Sequence, residues 1–117
     1  MKNFNERRST QRRKFIFHMP VFDDETDELV GHLTDISDLG IRLDCLHIQP
    51  LERDFNLRVE VTSDVAEKPF MSLVARTKWC REDKLMPNTY NVGFQIMHLE
   101  PADVDIFNRI SEKYAEG

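Results

Sequence analysis

Two cysteines, four glycines and one tryptophan in 117 residues exclude several chemistries before any motif is sought. Cys45 and Cys80 are far apart in the chain, lack a CxxC partner and fall in segments that read as strands. Two reduced structural thiols are therefore expected, not a disulfide or a redox pair. Glycines at 31, 40, 93 and 117 are too dispersed to build a phosphate-gripping loop. His18, His32, His47 and His98 occur singly, with no pair at metal-ligand spacing. Ser37 lacks the leading glycine and the strand-to-helix setting of a nucleophile elbow. Neither an enzyme nor a bound cofactor is expected. No apolar run approaches the roughly 18 residues of a membrane span, and the N-terminus lacks the apolar stretch of a secretory signal. The expectation is a cytoplasmic protein with no membrane insertion.

Charge is plentiful and unevenly placed. The chain has 16 Lys plus Arg against 21 Asp plus Glu, a net charge of −5. Residues 1–14 nevertheless hold Lys2, Arg7, Arg8, Arg12, Arg13 and Lys14 against Glu6 alone, so this leader is +5 and the remainder is −10. Apart from Met1 and Phe4 the first dozen residues offer nothing to bury, and too little apolar surface is present to offset the entropy of ordering. Residues 1–13 read as a flexible basic arm on an acidic body.

Beyond the arm the hydrophobic pattern has period two. Phe55, Leu57, Val59 and Val61 alternate with Asn56, Arg58, Glu60 and Thr62. Met71, Leu73, Ala75 and Trp79 share one parity, as do Tyr90, Val92, Phe94 and Ile96, and a shorter strand contains Ile41, Leu43 and Cys45. That parity assigns Trp79 to the core. Two more strands are expected at 14–23 and 29–36, joined by an acidic turn at 24–27. Residues 14–99 thus predict six antiparallel strands, most economically a Greek-key-like barrel that hides its sheet edges. From Pro101 the period changes: Val104, Phe107, Ile110 and Tyr114 recur at helical spacing, so residues 100–117 predict one amphipathic helix capping the barrel. The fold class is all-β with a C-terminal helix, in a single domain.

Two clusters could carry function. In residues 7–14 the arginines outnumber lysine four to one. A guanidinium presents a planar fork that grips phosphate oxygens or the O6 and N7 of guanine and stacks on bases, so this run suits an anionic nucleotide. The second cluster, Asp35-Ile36-Ser37-Asp38-Leu39-Gly40, ends one predicted strand and begins the next. Asp35 can accept from the N1–H and N2–H donors of guanine, and Ser37 can add a hydroxyl contact. Gly40 permits a close backbone approach or a positive φ. Each cluster alone also reads as a solvated charged terminus or an ordinary turn.

Together they resemble the PilZ domain family, whose signature is RxxxR before the first strand and DxSxxG between the second and third. Arg8-Ser9-Thr10-Gln11-Arg12 and Asp35-Ile36-Ser37-Asp38-Leu39-Gly40 match both halves, and the similarity extends through the strands, Asn91-Val92-Gly93-Phe94 and the closing helix. The resemblance implies a receptor for cyclic di-GMP, with Arg8, Arg12, Asp35, Ser37 and Gly40 binding the ligand. Arg7 flanks the first motif and is included with them; Arg13 and Trp79 are further candidates for contact. The self-repelling +5 arm on a −10 body is expected to order around such a ligand, and a one-domain receptor of this kind is expected to signal through its liganded face to a separate, unidentified protein partner. Two other classes stay open: a PilZ-like interaction module without nucleotide binding, and a nucleic-acid-binding module using the arm. The −10 body would repel a long polynucleotide backbone, so no nucleic acid polymer is expected as partner.

Overall fold

The computed structural model describes residues 19–37, 39–61 and 67–114. The arm, with Arg7, Arg8, Arg12 and Arg13, and the expected strand start at 14–18 lie outside the described residues, as does Asp38 of the second motif. Six strands are present: β1 (Pro20–Asp23), β2 (Leu29–Ile36), β3 (Gly40–Cys45), β4 (Asp54–Glu60), β5 (Phe70–Glu82) and β6 (Tyr90–Leu99). A 3-10 turn, Pro101–Asp103, leads into helix α1 (Val104–Tyr114). All pairings are antiparallel, and the barrel closes in the order β1-β2-β3-β6-β5-β4, with β4 returning to β1 through Val21 opposite Val59. The expected all-β class, six-stranded barrel and single C-terminal helix are therefore what the chain forms. Among the described residues no helix is long and apolar enough to cross a membrane.

Alternation explains the interior. Phe55 faces Ala75, Leu57 faces Leu73 and Val59 faces Met71 across β4–β5, and Ile41 and Leu43 meet Phe94 and Val92 across β3–β6. All of these side chains are buried, and a Leu or Val so placed contributes about 1.5–3 kcal/mol relative to exposure. Phe55 and Phe94 meet edge to face at 5.9 Å, the arrangement their ring quadrupoles favour.

Helix α1 inserts Ile106, Phe107 and Ile110 into this core. Val104, expected on the buried stripe, is 40% exposed instead, and Ile106 takes its place. Phe107 and Ile110 stay buried as expected, and Val104 follows directly on the 3-10 turn at the edge of that face. That turn is pinned by Asp103, fully buried, whose carboxylate accepts the Ser72 N–H at 2.9 Å and meets Lys68 Nζ at 2.5 Å. The acidic β1–β2 turn forms as expected: Asp23 Oδ1 accepts the N–H of Glu25 at 2.8 Å, a local bond by which Asp favours turns.

Candidate functional site

Two β-bulges decide which side chains reach the outside of the β2–β3–β6–β5 wall. In β2 the register against β3 passes from Leu33 opposite Leu43 to Asp35 opposite Arg42, leaving Thr34 as the extra residue. Thr34 turns inward and is buried, where its hydroxyl donates to the Arg42 carbonyl at 3.1 Å. Asp35 consequently sits on the outer face, and Ile36 returns to the core. In β5 the register against β6 passes from Thr77 opposite Phe94 to Trp79 opposite Gly93, with Lys78 as the extra residue. A bulge of one residue exchanges inside for outside.

The second bulge overturns the expectation that Trp79 belongs to the core. Strict parity with Met71, Leu73 and Ala75 would place it inside, but the extra Lys78 rotates the indole to the outer surface, half-buried. There it packs on Gly93, where a Cβ would come within 2.2 Å of the indole ring. The Arg81 guanidinium stands over the ring at 4.6 Å from its centroid. Glycine at 93 is thus required by the tryptophan it seats.

The result is a cross-strand row, Asp35, Arg42, Gly93 and Trp79, one residue from each of four neighbouring strands. This row floors an open groove of about 500 Å³ that is also lined by Ser37, Gly40 and Gln95. Its size lies within the range of small-molecule sites. Of the cations lining it, Lys78 is held by Glu52 at 2.9 Å, and Arg42 Nε reaches Thr34 Oγ1 at 3.5 Å. The groove combines an acidic acceptor, a guanidinium, a hydroxyl and an aromatic wall, a set suited to a purine more than to a simple anion.

The motif residues occupy its rim. Asp35 Oδ1 accepts the Ile36 N–H at 2.9 Å, which orients the carboxylate beside the groove. Ser37 is exposed, and its hydroxyl accepts the Leu39 N–H at 3.4 Å while its own N–H donates to the Gly40 carbonyl at 2.9 Å, closing the turn. Gly40 lines the groove, but the reason for a glycine here lies within the protein. None of the described glycines has positive φ, and a Cβ at 40 would stand 2.2 Å from the Phe94 carbonyl oxygen. Close approach is needed by β6 itself.

The structure thus brings Asp35, Ser37 and Gly40 to one place, while Arg7, Arg8 and Arg12 lie outside the described residues. The polypeptide joins the described barrel at Met19, fully buried, whose carbonyl accepts the Leu33 N–H at 3.0 Å. Met19 thus sits beside Leu33, two residues before Asp35 in β2. Sequence reasoning missed Arg42 and Gln95 as groove residues, and it named Trp79 as a candidate for contact while parity assigned it to the core. The usable signal was Gly93 within a strand, which marks close approach of another group. Among the described residues no His, Cys, Asp and Glu cluster suited to a metal is found.

Comparison with curated proteins and with solved structures returns no significant match. Residues 6–113 match the family model of the PilZ domain, a family of binding and adaptor domains. That match spans both motifs, all six strands and nearly all of the helix, so the chain belongs to the PilZ domain family.

Proposed function

We propose that this protein is a cyclic di-GMP receptor in which the groove on the β2–β3–β6–β5 wall takes one guanine and the basic arm closes over the ligand. The observation that carries this reading is the convergence of Asp35, Ser37 and Trp79 on one groove of nucleotide size. Membership of the PilZ family supports the same ligand. Asp35 accepts from N1–H and N2–H of the guanine, Ser37 supplies a hydroxyl, and the indole gives an apolar wall for the base. Arg8 and Arg12, with Arg7 beside them, grip phosphates and guanine N7 and O6 edges from the arm.

Binding then couples to ordering. Five like charges in eight residues repel one another within a Debye length of about 8 Å, and two phosphates relieve that repulsion. The ligand bridges arm and barrel, and the changed surface is read by a separate protein. A bidentate arginine–guanine contact is worth about 1–3 kcal/mol, so Arg8→Ala or Arg12→Ala weakens binding roughly ten- to a hundredfold. Asp35→Ala does the same from the opposite side of the ligand. Titration calorimetry with cyclic di-GMP measures all three. Undiminished affinity in the arginine variants and in Asp35→Ala would refute the assignment.

A further inference from the structure

Resting on the reading of the groove as a guanine site, we infer that Arg42 is the residue that distinguishes guanine from adenine there, by donating to O6 of the base that Asp35 holds. Arg42 belongs to neither sequence motif. It is placed by register: Arg42 and Asp35 are directly opposed partners on β3 and β2, and both line the groove. Opposed side chains on one face have Cβ atoms about 4.5–5.5 Å apart, close enough to address adjacent atoms of one heterocycle edge.

The chemistry of that edge makes the pairing specific. Guanine presents N2–H, N1–H and O6 in succession, two donors followed by an acceptor. A carboxylate beside a guanidinium offers the complement, two acceptors followed by a donor. Adenine presents an acceptor at N1 and a donor at N6. Asp35 would face a lone pair and Arg42 would face an N–H, so both contacts turn repulsive. Sites built from such partnered polar groups reject the mismatched analogue strongly, because their own groups lose their partners.

Three features of the fold prepare Arg42 for this task. The Thr34 bulge aligns Asp35 with Arg42 instead of with the next inward position, and Thr34 binds the Arg42 carbonyl and receives its Nε, fixing the side chain at its root. On the other flank Arg42 is opposed by Gly93, which has no side chain to cover it.

The test measures the affinity of the full chain for cyclic di-GMP at about 50 and 500 mM salt, in the native protein and in Arg42→Ala, Arg42→Gln and Arg42→Lys, with tryptophan fluorescence confirming that each variant folds. The expected result is at least a tenfold loss in Arg42→Ala, equal at both salt concentrations, with part of the affinity recovered by Arg42→Gln, whose amide is a neutral donor. A loss below twofold in Arg42→Ala overturns the inference. So does a loss that fades at high salt and is restored by Arg42→Lys but not Arg42→Gln, since that pattern marks a phosphate grip. Failure of the native protein to bind cyclic di-GMP would instead overturn the reading beneath it.

Discussion

The two walls of the barrel use their polar residues differently. On the β1–β4–β5 side the charges neutralise one another. Arg58 bridges Asp24 at 3.0 Å and Asp27 at 2.5 Å, Arg76 meets Asp54 at 2.7 Å, and Asn56 donates to Glu25 at 2.6 Å. The β4–β5 ladder there runs in unbroken register from Asp54 to Glu60. The β2–β3–β6–β5 side has two bulges beside the groove, two glycines in β3 and β6, and an indole lying on the surface. One wall is finished by its own contacts, whereas the other holds acceptors, a guanidinium and an aromatic face around an open space. The regular ladder carries paired charges, and the interrupted one frames an open groove.

The sharpest way to break this contrast is at the glycines. Gly40→Ala sets a methyl against the Phe94 carbonyl, a backbone atom that cannot step aside, so a loss at the upper end of the roughly 1–3 kcal/mol typical of overpacking is expected in urea unfolding. Gly93→Ala meets an indole that can move. Its stability loss should be smaller, but tryptophan emission should shift to the red and cyclic di-GMP affinity should fall as the groove is remodelled. Equal stability losses in the two variants would remove the distinction between a backbone and a side-chain neighbour.

Next in size is Thr77, fully buried, whose hydroxyl donates to the Pro50 carbonyl at 2.5 Å and accepts the Arg53 N–H at 3.1 Å. Thr77→Val keeps the shape and leaves both backbone groups without that partner, at a cost of about 1–3 kcal/mol by urea unfolding. Binding should survive, because this anchor ties the β3–β4 loop and does not line the groove.

A subtler effect belongs to the thiols. Burial chiefly, then the neighbouring Cys80 and Asp44, pushes the Cys45 thiol up to about 12. Its neutral form is therefore favoured by folding: this contribution is complete below the unfolded value near 9 and is lost as pH rises toward 12. At pH 8 an alkylating reagent should label half-buried Cys80 well before Cys45. Equal labelling rates would contradict the burial of Cys45.

The smallest change is expected on the finished wall. The Arg76 hydrogen bond holds the Asp54 carboxyl below its ordinary range, so this stabilisation is present above that range and lost as pH falls through the lowered value. The pair is exposed, and Asp54→Asn should barely move the thermal midpoint at neutral pH or the affinity for cyclic di-GMP.

Much of the barrel was legible from alternation. Phe55, Leu57 and Val59 in β4, and Leu43 and Cys45 in β3, point where period two sends them. The reading failed where one extra residue entered a ladder. Trp79 lies on the opposite side from the one parity gives, because a bulge is fixed by pairing with a neighbouring strand and leaves no trace in the strand's own pattern. Of the site, Asp35 and Ser37 could be found from the motif, while Arg42 depends on register with β2. The helix shows the same limit: its buried face is Ile106, Phe107 and Ile110, and Val104, adjoining the turn held by buried Asp103, is exposed.

The seating of Met19 beside Leu33 has a consequence for affinity that no contact in the groove conveys. Arg12 precedes this anchor by seven positions, so at about 3.5 Å per residue its tether is at most about 25 Å long. On the receptor reading proposed above, guanidinium groups on a tether of that reach would meet a docked ligand as if present at millimolar effective concentration. Cutting the polypeptide just before Met19 and supplying the leader as a free peptide would forfeit that avidity even with every side chain intact.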